Sequence, residues 1–166
     1  SPNVSGDVET WNGSSWTETT NLGTIRKYGN MAGTDTEAAL YFGGIDDAPN
    51  SRVALTESWN GSSWTEVSDL NTARSALGGA ETETSGLAFG GYTGTAYTGV
   101  TELWNGSSWT ESSNLNNARA TLAGIGATST AALYAGGNDN NNVDFTEDWN
   151  GSTWQEVADL NTTRGS

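Results

Sequence analysis

Eight glutamates at fixed positions are the residues of this sequence whose type and spacing could do chemistry. They form four pairs with the same separation along the chain. Two carboxylates held roughly 5–9.5 Å apart in different environments can hydrolyse a glycosidic bond. A catalytic pair would be unique, whereas this pair recurs in every repeat. We therefore interpret the glutamates as a solvated strand face that opposes edge-to-edge aggregation; they are Glu9, Glu18, Glu57, Glu66, Glu102, Glu111, Glu147 and Glu156.

Four arginines also recur, one for each pair of glutamates. Their position just before an inner strand favours a structural role, in which each guanidinium pairs with a carboxylate or a backbone carbonyl of the neighbouring unit. The alternative is a ring of arginines around a central channel that binds an anion. We expect the structural role for Arg26, Arg74, Arg119 and Arg164.

The overall composition argues against several classes of function. The sequence has no His and no Cys, and so lacks the commonest general base, the commonest transition-metal ligand and any disulfide. Its net charge is −14, from 6 basic and 20 acidic residues. Such a surface repels nucleic acid and anionic lipid, and no apolar run approaches the ~18 residues of a membrane span. We expect no nucleic-acid partner, no membrane insertion and no cofactor.

Because Ser1 stands first in the sequence, we expect a processed chain or part of a longer one.

An internal repeat organises these residues. The string WNGSSWTE begins at Trp11, Trp59 and Trp104, and WNGSTWQE begins at Trp149. Successive copies are 48, 45 and 45 residues apart, and a double glycine stands between them. Periods of this length indicate a repeat architecture.

The sequence pattern of each repeat unit predicts four short strands. In one unit, the small and apolar segments 75–80 and 86–89 flank a polar turn, and the segments 100–104 and 109–112 flank an Asn-Gly turn. Asn-Gly between strands is a strong hairpin signal because both residues accept positive φ. Four strands in about 45 residues is the size of a propeller blade.

The tryptophans are the natural core of such units. Each indole can bury roughly 150–250 Å², which compensates for the scarcity of other large apolar residues. We expect all eight in the core between neighbouring units: Trp11, Trp16, Trp59, Trp64, Trp104, Trp109, Trp149 and Trp154.

These motifs resemble the Kelch repeat. Gly90-Gly91 matches the double glycine that closes its second strand, Trp104 and Trp109 flank the following turn, and Ala118-Arg119 matches the small-Arg pair that opens the next unit. Kelch units usually have Tyr before the turn, where this chain has Trp. The Trp-Asn-Gly-Ser-Ser-Trp units also resemble those of phage and environmental bacterial proteins. The resemblance implies an all-β fold of tandem four-stranded Kelch-like β-propeller blades.

The number of hairpins predicts an incomplete ring. We expect one repeat domain over residues 1–166, with an outer hairpin at 1–26 and units at 27–74, 75–119 and 120–166, about three and a half units in total. The missing strands could come from further blades of a longer array, from other copies that share blades, or from open stacking into a filament. In each case we expect that the isolated chain is not a compact monomer.

The segments that differ between units are the loops after the double glycines, at 45–52, 92–99 and 138–144. Loops on a rigid scaffold commonly bind ligands, although tolerant polar turns are the simpler interpretation. Tyr92 and Tyr97 could stack on a sugar or a peptide. The carboxylates of these loops would suit Ca²⁺, the one cation we consider; they belong to Asp46, Asp47, Asp139 and Asp144.

These features favour a non-catalytic scaffold for protein or glycan interaction, or for structural assembly, on a virion, cell surface or extracellular fibre. The alternative is a propeller enzyme acting on carbohydrate. The copper oxidases of Kelch-like fold need His and Cys, which this chain lacks. The Asn-Gly-Ser-Ser-Trp turn resembles the Asp-box of sialidases but has no Asp. A third hypothesis is a purely structural array that binds only its own copies.

Overall fold

The computed structural model describes residues 5–47, 51–121, 124–128 and 130–165. These residues form sixteen short strands and no helix, so this part of the chain contains no helix long and apolar enough to cross a membrane. The rest of the first variable loop, residues 48–50, lies outside the described residues, as do residues 122, 123 and 129 of the third inner hairpin.

The strands are two to five residues long. In chain order they are β1 (Glu9–Trp11), β2 (Trp16–Glu18), β3 (Arg26–Lys27), β4 (Asn30–Ala32), β5 (Ala39–Phe42), β6 (Ile45–Asp46), β7 (Thr56–Trp59), β8 (Trp64–Glu66), β9 (Gly78–Thr82), β10 (Ser85–Phe89), β11 (Thr101–Trp104), β12 (Trp109–Glu111), β13 (Gly124–Thr128), β14 (Ala131–Ala135), β15 (Thr146–Trp149) and β16 (Trp154–Glu156).

Twelve of these strands make three antiparallel sheets of four. Sheet I has the order β4-β5-β7-β8, sheet II is β9-β10-β11-β12 and sheet III is β13-β14-β15-β16. The hairpin β1–β2 precedes sheet I, and β3 pairs with β6. The prediction of an all-β chain with four-stranded antiparallel units is confirmed.

The Trp-Asn-Gly-Ser-Ser-Trp motif, which reads Trp-Asn-Gly-Ser-Thr-Trp in sheet III, forms the outer hairpin of each sheet. In sheet II, Trp104 lies opposite Trp109, with ring centroids 5.3 Å apart. The Asn105 side-chain oxygen accepts hydrogen bonds from the backbone N–H groups of Ser107 and Ser108, both at 3.0 Å. The turn is therefore closed by local contacts that the motif itself supplies.

The trailing Trp of an outer hairpin packs against the preceding sheet. The ring of Trp109 in sheet II lies 5.0 Å from that of Phe42 in sheet I, and its indole N–H donates to the Thr56 hydroxyl at 3.1 Å. Trp154 in sheet III makes the same two contacts with sheet II, to Phe89 at 4.9 Å and to Thr101 at 2.9 Å. The core therefore lies between neighbouring sheets.

The tryptophans of the first hairpin depart from the prediction that all eight are buried. Trp11 and Trp16 are exposed, because no inner strand lies beside β1 and no sheet precedes it in the described part of the chain. Trp64 is half-buried. Its indole nitrogen lacks a hydrogen-bond partner within the described residues, since Val8 stands where later repeats have Thr.

The double glycines connect one sheet to the next. Gly90 has a φ of 63°, and a Cβ there would stand 2.7 Å from the Arg119 carbonyl oxygen. The N–H of Gly91 donates to that same oxygen at 2.9 Å. Only glycine allows this approach, because other residues would meet both backbone strain and a clash.

A buried ion pair ties each full sheet to the loop that precedes it. Arg119 is fully buried and donates to the Glu147 carboxylate, and also to the carbonyls of Gly136 at 2.9 Å and Tyr134 at 3.2 Å. Glu147 also accepts from the backbone N–H of Asn116 at 2.7 Å. The same pair joins Arg26 to Glu57 and Arg74 to Glu102.

These pairs correct the interpretation of the glutamates as a solvated strand face. The leading glutamates of the three full sheets, Glu57, Glu102 and Glu147, are buried in the ion pairs. The trailing glutamates are exposed, as are Glu9 and Arg164, which make no ion pair within the described residues. In the three full sheets, each exposed glutamate lies directly opposite a buried one, on the same face of the sheet, so the difference arises because the preceding loop covers the inner of the two strands and leaves the outermost strand open.

We expect Glu147→Gln to lower the free energy of unfolding by about 3–5 kcal/mol, because it leaves the buried Arg119 without a counter-charge. Urea denaturation at neutral pH measures the change. The matched control is Glu156→Gln on the opposing strand, where the carboxylate is exposed and the expected change is within about 0.5 kcal/mol. Equal effects of the two substitutions would contradict a stabilising role for the pair.

Tyr134 makes the stability sensitive to alkaline pH. Burial raises the pKa of its phenol to about 12, with the nearby Arg119 opposing the rise; an unfolded tyrosine titrates near 10. The folded chain thus holds the proton longer, so this contribution is complete below pH ~10 and is lost as the pH rises towards 12.

The hydroxyl of Tyr134 has no hydrogen-bond partner within the described residues. Tyr134→Phe should therefore be neutral or stabilising by about 1 kcal/mol at pH 7, and should flatten the alkaline loss of stability. Urea denaturation between pH 7 and 11 tests both effects, with Tyr28→Phe, at an exposed tyrosine, as the control. A clear loss of stability at pH 7 would show that the hydroxyl has a partner.

Candidate functional site

The start of each inner hairpin places a residue with positive φ next to the neighbouring sheet. Tyr28, Ala76 and Thr121 have φ of 58°, 53° and 49°, each two residues after a repeated arginine. The N–H of Ala76 donates to the Tyr28 carbonyl at 2.7 Å, and the N–H of Thr121 donates to the Ala76 carbonyl at 2.9 Å. A non-glycine residue keeps a positive φ only where its tertiary contacts compensate for the strain. Here the compensating contacts are backbone hydrogen bonds that run from one sheet to the next.

The residues directly after the double glycines lie beside this path. Tyr92 exchanges backbone hydrogen bonds with Ser75, at 2.8 and 3.0 Å, and Asn138 exchanges them with Ala120, both at 2.9 Å. Ile45 pairs with Lys27 in the equivalent position. Three variable loops are thereby brought to one place, around a cleft of about 580 Å³.

Side chains from successive loops touch one another across this cleft. The guanidinium of Arg52 lies 5.1 Å from the ring centre of Tyr92, whose ring lies 5.2 Å from that of Tyr97. The Tyr97 hydroxyl donates to the side-chain oxygen of Asn138 at 2.6 Å. Each loop thus holds the next, and the aromatic rings are fixed before any ligand arrives.

The electrostatic character of the cleft differs from that of the whole chain. Arg52 is the charged residue among those lining it, in a chain of net charge −14. The Nε atom of Arg52 is buried and has no hydrogen-bond partner within the described residues. The positive charge of the guanidinium attracts a carboxylate, sulfate or phosphate group.

The structure brings together only some of the residues proposed from the sequence as ligand-binding. Tyr92 and Tyr97 line the cleft, whereas Asp46, Asp47, Asp139 and Asp144 do not. Asp139 lines a smaller depression of about 440 Å³ beside it, together with both tyrosines.

The four aspartates do not converge on a common point. Asp46 accepts a hydrogen bond from the N–H of Ser51 at 3.0 Å, and Asp139 accepts one from the N–H of Asn141 at 3.2 Å. Asp47 is exposed and Asp144 is half-buried. In the part of the chain that the structure describes, no three His, Cys, Asp or Glu side chains gather as metal ligands would.

Sequence reasoning missed Arg52, Tyr28 and Asn138 as individual residues of this cleft. For Arg52 a signal was present, because it is the one arginine that falls outside the repeat frame. Nothing local marked Tyr28 or Asn138, whose positions depend on contacts between sheets.

No protein-family model matches the chain, and no curated protein is significantly similar to it.

We expect Ca²⁺ to leave the melting temperature within about 1 °C of its value in chelator, because the loop carboxylates do not converge and those of Asp46 and Asp139 bind their own turns. Differential scanning calorimetry with Ca²⁺ or chelator measures this. A rise of several degrees that Asp139→Asn abolishes would show a calcium site and contradict the expectation.

Proposed function

We propose that this chain is a non-catalytic scaffold of Kelch-like β-propeller blades that binds an acidic glycan in the cleft of the variable loops. The observation that carries the proposal is the stack of the Arg52 guanidinium on the ring of Tyr92, beside the second aromatic ring of Tyr97. Tyrosine rings offer faces on which a sugar ring can stack. The guanidinium would select sugars that bear a carboxylate or sulfate.

The size and rigidity of the cleft suit this ligand class. Small-molecule sites typically enclose about 300–1,000 Å³ and combine apolar walls with a few polar groups. Here Ile45 and Ala76 contribute apolar wall, while Ser75 and Asn138 contribute hydroxyl and amide groups. Because the rings are already held by neighbouring loops, little conformational entropy is lost on binding.

The propeller assignment is supported by features that repeat from sheet to sheet. Three four-stranded antiparallel sheets follow one another, and each contains a double glycine. Trp109 and Trp154 pack between successive sheets. We propose that further blades or other copies complete the ring. An acidic, repetitive scaffold with variable loops fits display on a virion, a cell surface or an extracellular fibre, and we propose such a location.

A catalytic role in carbohydrate hydrolysis is disfavoured by the state of the paired carboxylates. In sheet II, Glu102 is bound to Arg74 and to the N–H of Asn71, while its cross-strand partner Glu111 is exposed on the outer hairpin. Neither glutamate lines the cleft. A glycosidase needs two carboxylates that both face the bound sugar, and the two carboxylates of this pair do not face the cleft.

We expect the wild-type protein to bind acidic glycans on an array, and Arg52→Gln to weaken binding at least about tenfold, as loss of a charged hydrogen bond does. Isothermal titration with one monovalent oligosaccharide gives the affinity independently of assembly. Arg164→Gln is the control, since it removes the same charge outside the cleft. Tyr97→Ala should also weaken binding, because it removes a stacking face.

Equal binding of neutral and acidic glycans, or an unchanged affinity in Arg52→Gln, would contradict the proposed ligand class. Recovery of shortened oligosaccharide after incubation would instead support the enzymatic alternative and contradict the non-catalytic role.

A further inference from the structure

The trailing Trp of the first hairpin lacks the inter-sheet contact that two of its three equivalents make. Trp109 and Trp154 each pack on a Phe of the preceding sheet and donate to a Thr hydroxyl there. Trp16 occupies the same position in β1–β2, but no sheet precedes it within the described residues, and it is 63% exposed. An indole left open in this way is a ready anchor for a partner.

Sheet III carries the acceptor side of that contact, a threonine hydroxyl that no indole reaches within the described residues. Thr146 stands three residues before the leading Trp, as do Thr56 and Thr101, the acceptors for Trp109 and Trp154. Thr146 is only 5% exposed, yet its hydroxyl has no hydrogen-bond partner within the described residues. A buried hydroxyl without a partner is unfavourable, and an indole N–H is the group that satisfies its equivalents.

The apolar surface around Thr146 is also uncovered. Leu133 of sheet III is 40% exposed, whereas its equivalents Leu40 and Leu87 are fully buried by the following sheet. Val157 is 41% exposed on the same sheet. Ala135 replaces the Phe of the other two sheets, which leaves room for an indole ring.

The polar groups around this contact are complementary as well. At the junction of sheets II and III, Asn116 donates to Glu147 at 2.8 Å and to the Trp154 carbonyl at 3.1 Å, and Arg119 pairs with Glu147. The equivalent donors at the end of sheet III are Asn161 and Arg164. The equivalent acceptor at the start of the chain is Glu9; both Arg164 and Glu9 are exposed and make no ion pair within the described residues.

We propose that the β1–β2 hairpin of one copy docks on sheet III of a second copy. Trp16 donates to the Thr146 hydroxyl and covers Leu133, while Glu9 pairs with Arg164 and accepts from Asn161. A second copy is the occupant because this one chain carries both halves of a contact that it makes twice within itself. The two surfaces differ, so the contact is heterologous and joins copies head to tail, into a ring or a filament. It shares no residue with the cleft.

Two complementary variants test the direction of the contact. Trp16→Ala removes the donor indole, and Leu133→Glu places a charge in the apolar acceptor surface. Both residues are exposed in the single chain, so both variants should fold. Sedimentation velocity should show wild-type assemblies of two or more copies. Each variant alone should weaken association at least about thirtyfold, as truncation of an interface anchor does.

An equimolar mixture of the two variants should form a one-to-one dimer that grows no further, because it retains one intact donor and one intact acceptor. Glu111→Ala is the control, since it truncates an exposed side chain of sheet II that belongs neither to the two docking surfaces nor to the cleft. Thr146→Val keeps the shape of the side chain and should also weaken association, which keeps the test valid if Trp16→Ala fails to fold.

A wild-type chain that stays monomeric up to about 1 mM would overturn the proposal. So would assembly that survives Thr146→Val and Leu133→Glu, or a mixture that forms no dimer. None of these results bears on glycan binding, which is measured with a monovalent ligand.

Discussion

The buried Arg–Glu pair is the interaction on which the arrangement of the sheets depends. The same arginine acts in two directions, because its backbone carbonyl accepts from the double glycine of the preceding sheet and its side chain binds the glutamate of the following one. Arg119 shows both, through Gly91 and Glu147. Burial lowers the pKa of Arg74, and the pair with Glu102 opposes that effect. Since an unpaired buried charge is very unfavourable, a shift of one sheet against its neighbour is resisted at every junction.

The tryptophans add packing to this electrostatic frame. Only 34% of the chain is hydrophobic, and its large aliphatic residues are few, so the indoles supply much of the surface buried between sheets. Trp109 and Trp154 also donate a hydrogen bond to a threonine of the preceding sheet, which fixes the orientation of each ring as well as its burial. The contact is directional, with a donor face and an acceptor face on every unit. Directional units of this kind stack in one order, which is why the two ends of the described array differ in chemistry.

Variation is confined to the loops that these contacts leave free. Ile45, Tyr92 and Asn138 occupy equivalent places after the double glycines, yet they differ in size and polarity. The frame beneath them is set by backbone hydrogen bonds and ion pairs that do not involve their side chains. Substitution in the loops can therefore change the lining of the cleft without changing how the sheets are held.

The sequence alone was sufficient for the features that local contacts determine. The Asn-Gly turns, the outer hairpins and the four-stranded units follow from residues close together in the chain, such as Asn105 with Ser107 and Ser108. Burial was decided only by tertiary structure. Glu102 and Glu111 look alike in sequence, but a loop 31 residues away from Glu102 covers one and leaves the other in solvent. Trp16 and Trp109 occupy the same position in two copies of the motif, but only Trp109 packs against a preceding sheet. The cleft likewise depends on loops brought together across sheets, because side-chain environments at long range are set by packing and not by local pattern.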